Sequence, residues 1–183
     1  MAPEIVNLLT LLLLTLLSVS ALFAWPRSSM VIASRPILVG GIGCFGLALA
    51  AILAEVAPSP SGWQRWAAVA LSGATAVLVG GAITLAVLAA ERRHSSTPVP
   101  PASGQVLRGG AWIGVLERVG IFAALITGIP EGIALILAIK GLARYPELRA
   151  GDNAGVAERF IIGTLTSMLS AAAAAGILIL LLR

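Results

Sequence analysis

Three segments of this chain, residues 5–25, 66–90 and 160–182, contain no charged residue, and a fourth, 36–56, contains only Glu55. A helix rising about 1.5 Å per residue needs about 20 apolar residues to cross a hydrocarbon layer about 30 Å thick. Segments of this length and purity satisfy their backbone polar groups as helices within a bilayer. Composition agrees. Hydrophobic residues are 58% of the 183 and charged residues 11%, against about a quarter charged in a soluble domain. The fold class expected is all-α, a polytopic transmembrane helical bundle.

Two further segments carry charge inside apolar surroundings. Residues 109–128 contain Glu117 and Arg118, and residues 130–145 contain Lys140 and Arg144. The second is short for a full crossing unless its polar flanks are drawn in. The distribution of cations bears on the count. Arg27, Arg35, Arg92, Arg93, Arg108, Arg144, Arg149 and Arg159 fall in alternate connections or at their edges, against Arg65 and Arg183 on the other side. Cytoplasmic loops carry the excess of Lys and Arg. Six helices with the N-terminus outside give this alternation, whereas a re-entrant fifth element would leave five. The start of the chain lacks the positive segment of a secretory signal. It reads as an uncleaved spanning helix, although Ser18, Ser20 and Ala21 could mimic a cleavage site.

Between the two groups of apolar segments lies ERRHSSTPVPPASGQVLR, residues 91–108. Its prolines and hydroxyl residues and its lack of apolar period mark a linker. The expected organisation is an N-terminal three-helix half over 1–90, a cytoplasmic Pro-rich linker over 91–108, and a C-terminal three-helix half over 109–183. No internal repeat relates the halves.

Several chemistries find no support. The single Cys44 permits neither an intrachain disulfide nor a cysteine metal cluster. His94, the sole histidine, lies beside Arg92 and Arg93 in the linker, a poor setting for a catalytic triad. No cofactor is expected. The net charge of +4 comes from scattered arginines, which speaks for membrane orientation and against nucleic acid. Gly41-Ile-Gly43-Cys-Phe-Gly46 matches a dinucleotide fingerprint, but that motif requires a strand-to-helix turn. Inside an apolar segment it reads as close helix packing. Glu131 follows Pro130 at a helix start, where a carboxylate complements the helix dipole.

Glu117, Arg118 and Lys140 carry the functional expectation. A charge near the bilayer centre costs roughly 2.5–3.5 kcal/mol on insertion scales. Glu117 and Lys140 come about 12 and 15 Å into their helices at 1.5 Å per residue, which brings them within reach of one another. That would leave Arg118 seeking an anion. Arg144 follows one turn after Lys140, and Arg159, Gly163, Thr166 and Ser170 form a small, hydroxyl-bearing stripe on the last helix. Glu117, Arg118, Lys140, Arg144, Arg159, Thr166 and Ser170 are therefore the candidate ligand-binding residues, with Arg144 and Arg159 reading equally as markers of the membrane edge. Surplus positive charge facing the cytoplasm suits an anionic metabolite or a lipid phosphate. Under the alternative, an ion-pair lock fixes helix register in an assembly subunit with a membrane-protein partner. An enzyme is third, because no nucleophile or metal site supports one.

Ile113-Gly-Val-Leu-Glu117-Arg118, Ala138-Ile-Lys140-Gly-Leu-Ala-Arg144 and Glu158-Arg159-Phe-Ile-Ile-Gly163-Thr164 to Ser167 form a pattern. It resembles an uncharacterised family of bacterial integral membrane proteins, over about residues 109–170. The resemblance implies that Glu117, Arg118, Lys140, Arg144 and Thr164 belong to one unit. It further implies a multi-pass protein of the bacterial cytoplasmic membrane, in contact with membrane lipids. It brings no activity.

Overall fold

The computed structural model describes residues 3–24, 34–94, 109–149 and 154–183. These residues form six α-helices and no strand: α1 (Pro3–Ala24), α2 (Pro36–Val56), α3 (Trp63–His94), α4 (Gly109–Ile126), α5 (Glu131–Arg149) and α6 (Ala154–Leu182). Four of them, α1, α2, α3 and α6, are long and apolar enough to cross a membrane. The remainder of the linker, residues 95–108, lies outside the described residues.

Local chemistry sets the ends. Pro36 occupies the first turn of α2, where its missing N–H costs nothing. α4 closes on Gly128, whose φ of 73° is left-handed. The Ile129 amide donates to the Ala124 carbonyl at 2.8 Å and the Gly128 amide to Leu125 at 3.3 Å, the paired bonds of a Schellman ending. A Cβ at Gly128 would meet nothing within 4 Å, so the cost of a side chain there is purely conformational. Gly128→Ala is expected to destabilise the protein by about 1–2 kcal/mol, measured as a lowered unfolding midpoint in detergent.

α3 continues past the expected end at Ala90 to His94. Ala89, Ala90, Glu91, Arg92 and Arg93 all favour helix, and nothing among them stops it. In the same way α6 begins at Ala154, ahead of Phe160. These extensions carry both helices beyond the apolar layer and place Glu91 beside Arg159.

The bundle is built on α3 and α6. They make the most extensive interhelical contact; α1 and α2 pack mainly on α3, while α4 contacts α6 and α3. α5 packs chiefly on α4. The interior is filled by small residues, including Ala50, Ala68, Ala76, Ala171 and Ala174, with Leu14, Ile121 and Ile177 among them. Helices in lipid associate by such close packing, since lipid tails are as apolar as leucine. Gly43 and Gly46 of the glycine motif serve it. A Cβ at Gly43 would lie 2.7 Å from Ile83, and one at Gly46 would lie 2.5 Å from Leu17.

Large apolar side chains face outward, Leu16, Phe23, Ile37, Phe45, Leu142 and Leu169 among them. Several hydroxyls are buried, those of Thr10, Ser18, Ser72 and Thr75 among them. Ser18 and Thr75 share a 3.0 Å hydrogen bond between α1 and α3, and Thr10 donates back to the Val6 carbonyl. Such a distribution is suited to lipid. Trp63 and Trp66 at one end and Trp112 at the other are exposed, as fits amphipathic rings at two water–lipid boundaries.

Candidate functional site

Because α5 packs chiefly on α4, a cavity of about 770 Å³ opens between it, α4, α6 and the last turns of α3. Leu85, Leu88, Ile113, Ile136, Ile139 and Phe160 make its wall largely apolar. The polar groups are Thr84, Glu117, Arg118, Lys140, Arg144, Arg159, Thr164 and Ser167.

Arg144 apart, the charges divide into two pairs and a buried arginine. Lys140 Nζ donates to Glu117 Oε2 at 2.5 Å, joining α5 to α4. Its ammonium also lies 5.7 Å from the centroid of the Phe160 ring, within cation–π range. Arg159 Nε donates to Glu91 Oε2 at 2.8 Å, with Nη2 reaching Oε1 at 3.4 Å. This fork ties the start of α6 to the end of α3. A bidentate arginine–carboxylate contact fixes orientation as well as charge.

Arg118 differs. It is only 5% exposed, and its hydrogen-bond partners are neutral. Nε donates to the Val77 carbonyl at 3.1 Å and Nη1 to Ser167 Oγ at 3.2 Å. Two glycines make room for the side chain. A Cβ at Gly80 would come 3.1 Å from Arg118 Cδ, and one at Gly114 would come 3.3 Å from Nη1. Thr164, on the wall of the same cavity, is 8% exposed, and its hydroxyl is buried with no hydrogen-bond partner among the described residues. Buried hydroxyls are nearly always satisfied. Ser72 Oγ and Asn7 Oδ1 are buried in the same way, and Thr164 differs from them in lining the cavity that Arg118 also lines.

Of the seven residues expected from the sequence, Glu117, Arg118, Lys140, Arg144 and Arg159 line this one cavity. Thr166 and Ser170 do not. Ser170 Oγ donates to the Thr166 carbonyl at 2.7 Å, and Ser170 faces Gly80 of α3. The cavity face of α6 carries Arg159, Phe160, Gly163, Thr164 and Ser167. At 100° per residue it is rotated by about 60° from the stripe read from the sequence. Four polar contributors stand outside the expected ligand set: Thr84, Glu91, Thr164 and Ser167. In the sequence Glu91 reads as the first residue of the linker. The signal that could have found it is the antiparallel pairing of α3 with α6, which sets the end of one beside the start of the other.

Fold and cavity together define the class: an all-helical, multi-pass membrane protein with an ion-paired cavity open among its last four helices. No family model matches the chain, and no curated protein or solved structure is similar to it.

Proposed function

We propose that the protein binds, and in doing so handles across or within the membrane, an anionic ligand bearing an apolar portion, with a lipid phosphate as the best fit. The carrying observation is Arg118, a buried guanidinium at a cavity wall whose hydrogen-bond partners are neutral. A buried cation is stable only when paired or fully hydrogen-bonded. The two carboxylates near the cavity, Glu117 and Glu91, are engaged by Lys140 and Arg159. An incoming anion would take charge-assisted hydrogen bonds from Arg118, each worth roughly twice a neutral one, and would satisfy the Thr164 hydroxyl. The apolar wall would hold a chain. In this reading Lys140, oriented by Glu117, and Arg144 lend positive potential, and Ser167 holds Arg118 in place.

Our reading of orientation follows the cation distribution. The end of the bundle carrying Arg35, Arg92, Arg93, Arg144 and Arg159 faces the cytoplasm of a bacterial inner membrane, the N-terminus lies outside, and all six helices cross. The cavity then opens toward the cytoplasmic leaflet, the source of anionic lipids.

A second reading has one observation in its favour. The Glu117–Lys140 contact by itself is what a register lock in an assembly subunit would need. Native mass spectrometry of the detergent-purified protein separates the two. Wild type is expected to carry an anionic amphiphile that Arg118→Ala loses while keeping its helicity. A bare wild type, or a ligand indifferent to Arg118→Ala, would overturn the binding reading. A membrane protein co-purifying with a bare chain would favour the lock.

A further inference from the structure

Gly41 is the member of the glycine motif that packing does not explain. A Cβ there would meet nothing within 4 Å, in contrast to Gly43 and Gly46. It lies one turn from Ile37 and one turn from Phe45, each 72% exposed, so it leaves a notch on the outer face of α2. The notch belongs to a surface groove of about 650 Å³ lined by Arg35, Ile37, Gly41, Ile42, Phe45 and Arg93, among others. This groove shares no residue with the cavity around Arg118.

Its two ends differ in chemistry. At one end stand two guanidinium groups from different parts of the chain. Arg35 precedes α2, and Arg93, on the last turn of α3, donates from Nη2 to the Ser34 carbonyl at 2.9 Å. The amides of Ile37 and Leu38 lie at the same end, ahead of the first helical bond from Val39 to the Arg35 carbonyl. Arg35, in the N-cap position, makes no side-chain cap. The rest of the groove is apolar. From Arg35 to Phe45 the axis advances about 15 Å, half of a hydrocarbon layer about 30 Å thick. A groove one leaflet deep, cationic at its rim and apolar below, matches a phospholipid with its phosphate at the rim.

We propose that this groove is a binding site for an anionic diacyl phospholipid, with its phosphate held by Arg35 and Arg93 and one acyl chain seated over Gly41 between Ile37 and Phe45. Charge complementarity selects the anionic lipid. A zwitterionic headgroup brings its own cation to the two arginines and gains little from them. The site is independent of the ligand proposed for the Arg118 cavity.

The test uses the full-length protein carrying Arg118→Ala, so that lipid in the other cavity does not contribute. The protein is delipidated in detergent and titrated with phosphatidylglycerol or phosphatidylcholine, and bound lipid is counted by native mass spectrometry. Phosphatidylglycerol should be retained preferentially. The double variant Arg35→Gln/Arg93→Gln should lower its retention by about 30-fold, taking about fivefold for each arginine near an anionic headgroup. Gly41→Leu should fill the notch and reduce retention with both arginines present. It should leave the thermal transition in place, because no protein atom lies where the new side chain begins. Equal retention of the two lipids would overturn the proposal, as would phosphatidylglycerol binding that survives Gly41→Leu or the double arginine variant. Failure here would leave the reading of the Arg118 cavity standing, since Arg35, Gly41 and Arg93 do not line it.

Discussion

Glu117→Ala should destabilise the bundle by about 3–5 kcal/mol, the usual effect of removing one partner from a buried ion pair. The side chains of Lys140 and Glu117 are 21% and 10% exposed, so water screens the contact little. Without Glu117, the Lys140 ammonium keeps the Phe160 ring as a neighbour, a contact worth about 1–2 kcal/mol when partly buried. The helix that carries it is also the least anchored, with α4 as its main contact. Loss should therefore appear first as release of α5, with faster proteolysis after Tyr145 or faster hydrogen exchange in α5 than in α3. The double variant Glu117→Gln/Lys140→Met removes both charges and should recover most of the stability, as buried pairs replaced together often do. Equilibrium unfolding in mixed micelles checks both. A single variant as stable as wild type would show that the contact contributes nothing to the fold.

The parts of the fold legible in the sequence are those where one physical requirement acts alone. The apolar stretches of α1, α2, α3 and α6 need a bilayer, and their lengths follow from its thickness. Gly128 and Pro36 mark ends because few other residues suit a left-handed turn or a first helical position. The ends of α3 and α6 are less legible. Lipid thickness bounds an apolar segment but not a helix, and Glu91, Arg92 and Arg93 continue α3 into the polar zone. A linker beginning at Glu91 follows only if charge ends the helix as well as the membrane layer, and here it ends the layer alone.

The same distinction applies to the site. Charges inside apolar helices are costly enough to be conspicuous, so Glu117, Arg118 and Lys140 stand out in the sequence and are found on one cavity. Hydroxyl residues are harder to place. Thr164, Thr166, Ser167 and Ser170 lie within two turns of α6, and a serine or threonine in lipid can bond its own helix at little cost. Ser170 does so; Thr164 does not. Only the rotation of α6 against α3, set by Gly80 and the Arg118 side chain that crosses it, decides which of the four face the cavity.

Thr164→Val should change stability and binding in opposite directions. The substitution keeps the shape of the side chain and exchanges the hydroxyl for a methyl group. In the unliganded protein that hydroxyl is buried and unpaired, a state that costs about 1–3 kcal/mol. Removing it should stabilise the apo protein by a comparable amount, raising its unfolding midpoint in detergent. In the complex the hydroxyl would donate to an anion, and a hydrogen bond to a charged group contributes about 1.5–3 kcal/mol. Valine should then weaken the ligand by about 10- to 150-fold at 1.4 kcal/mol per factor of ten. A residue serving only to pack α6 would change stability and leave affinity where it was, since the ligand has no contact to lose. Thr164→Ser supplies the matching control: it retains the donor, loses a methyl, and should keep affinity while giving up stability. The pair of variants thus separates a hydroxyl kept for a ligand from one merely tolerated in the core. Thr164→Val less stable than wild type, with affinity unchanged, would show that the orphaned hydroxyl has no part in binding.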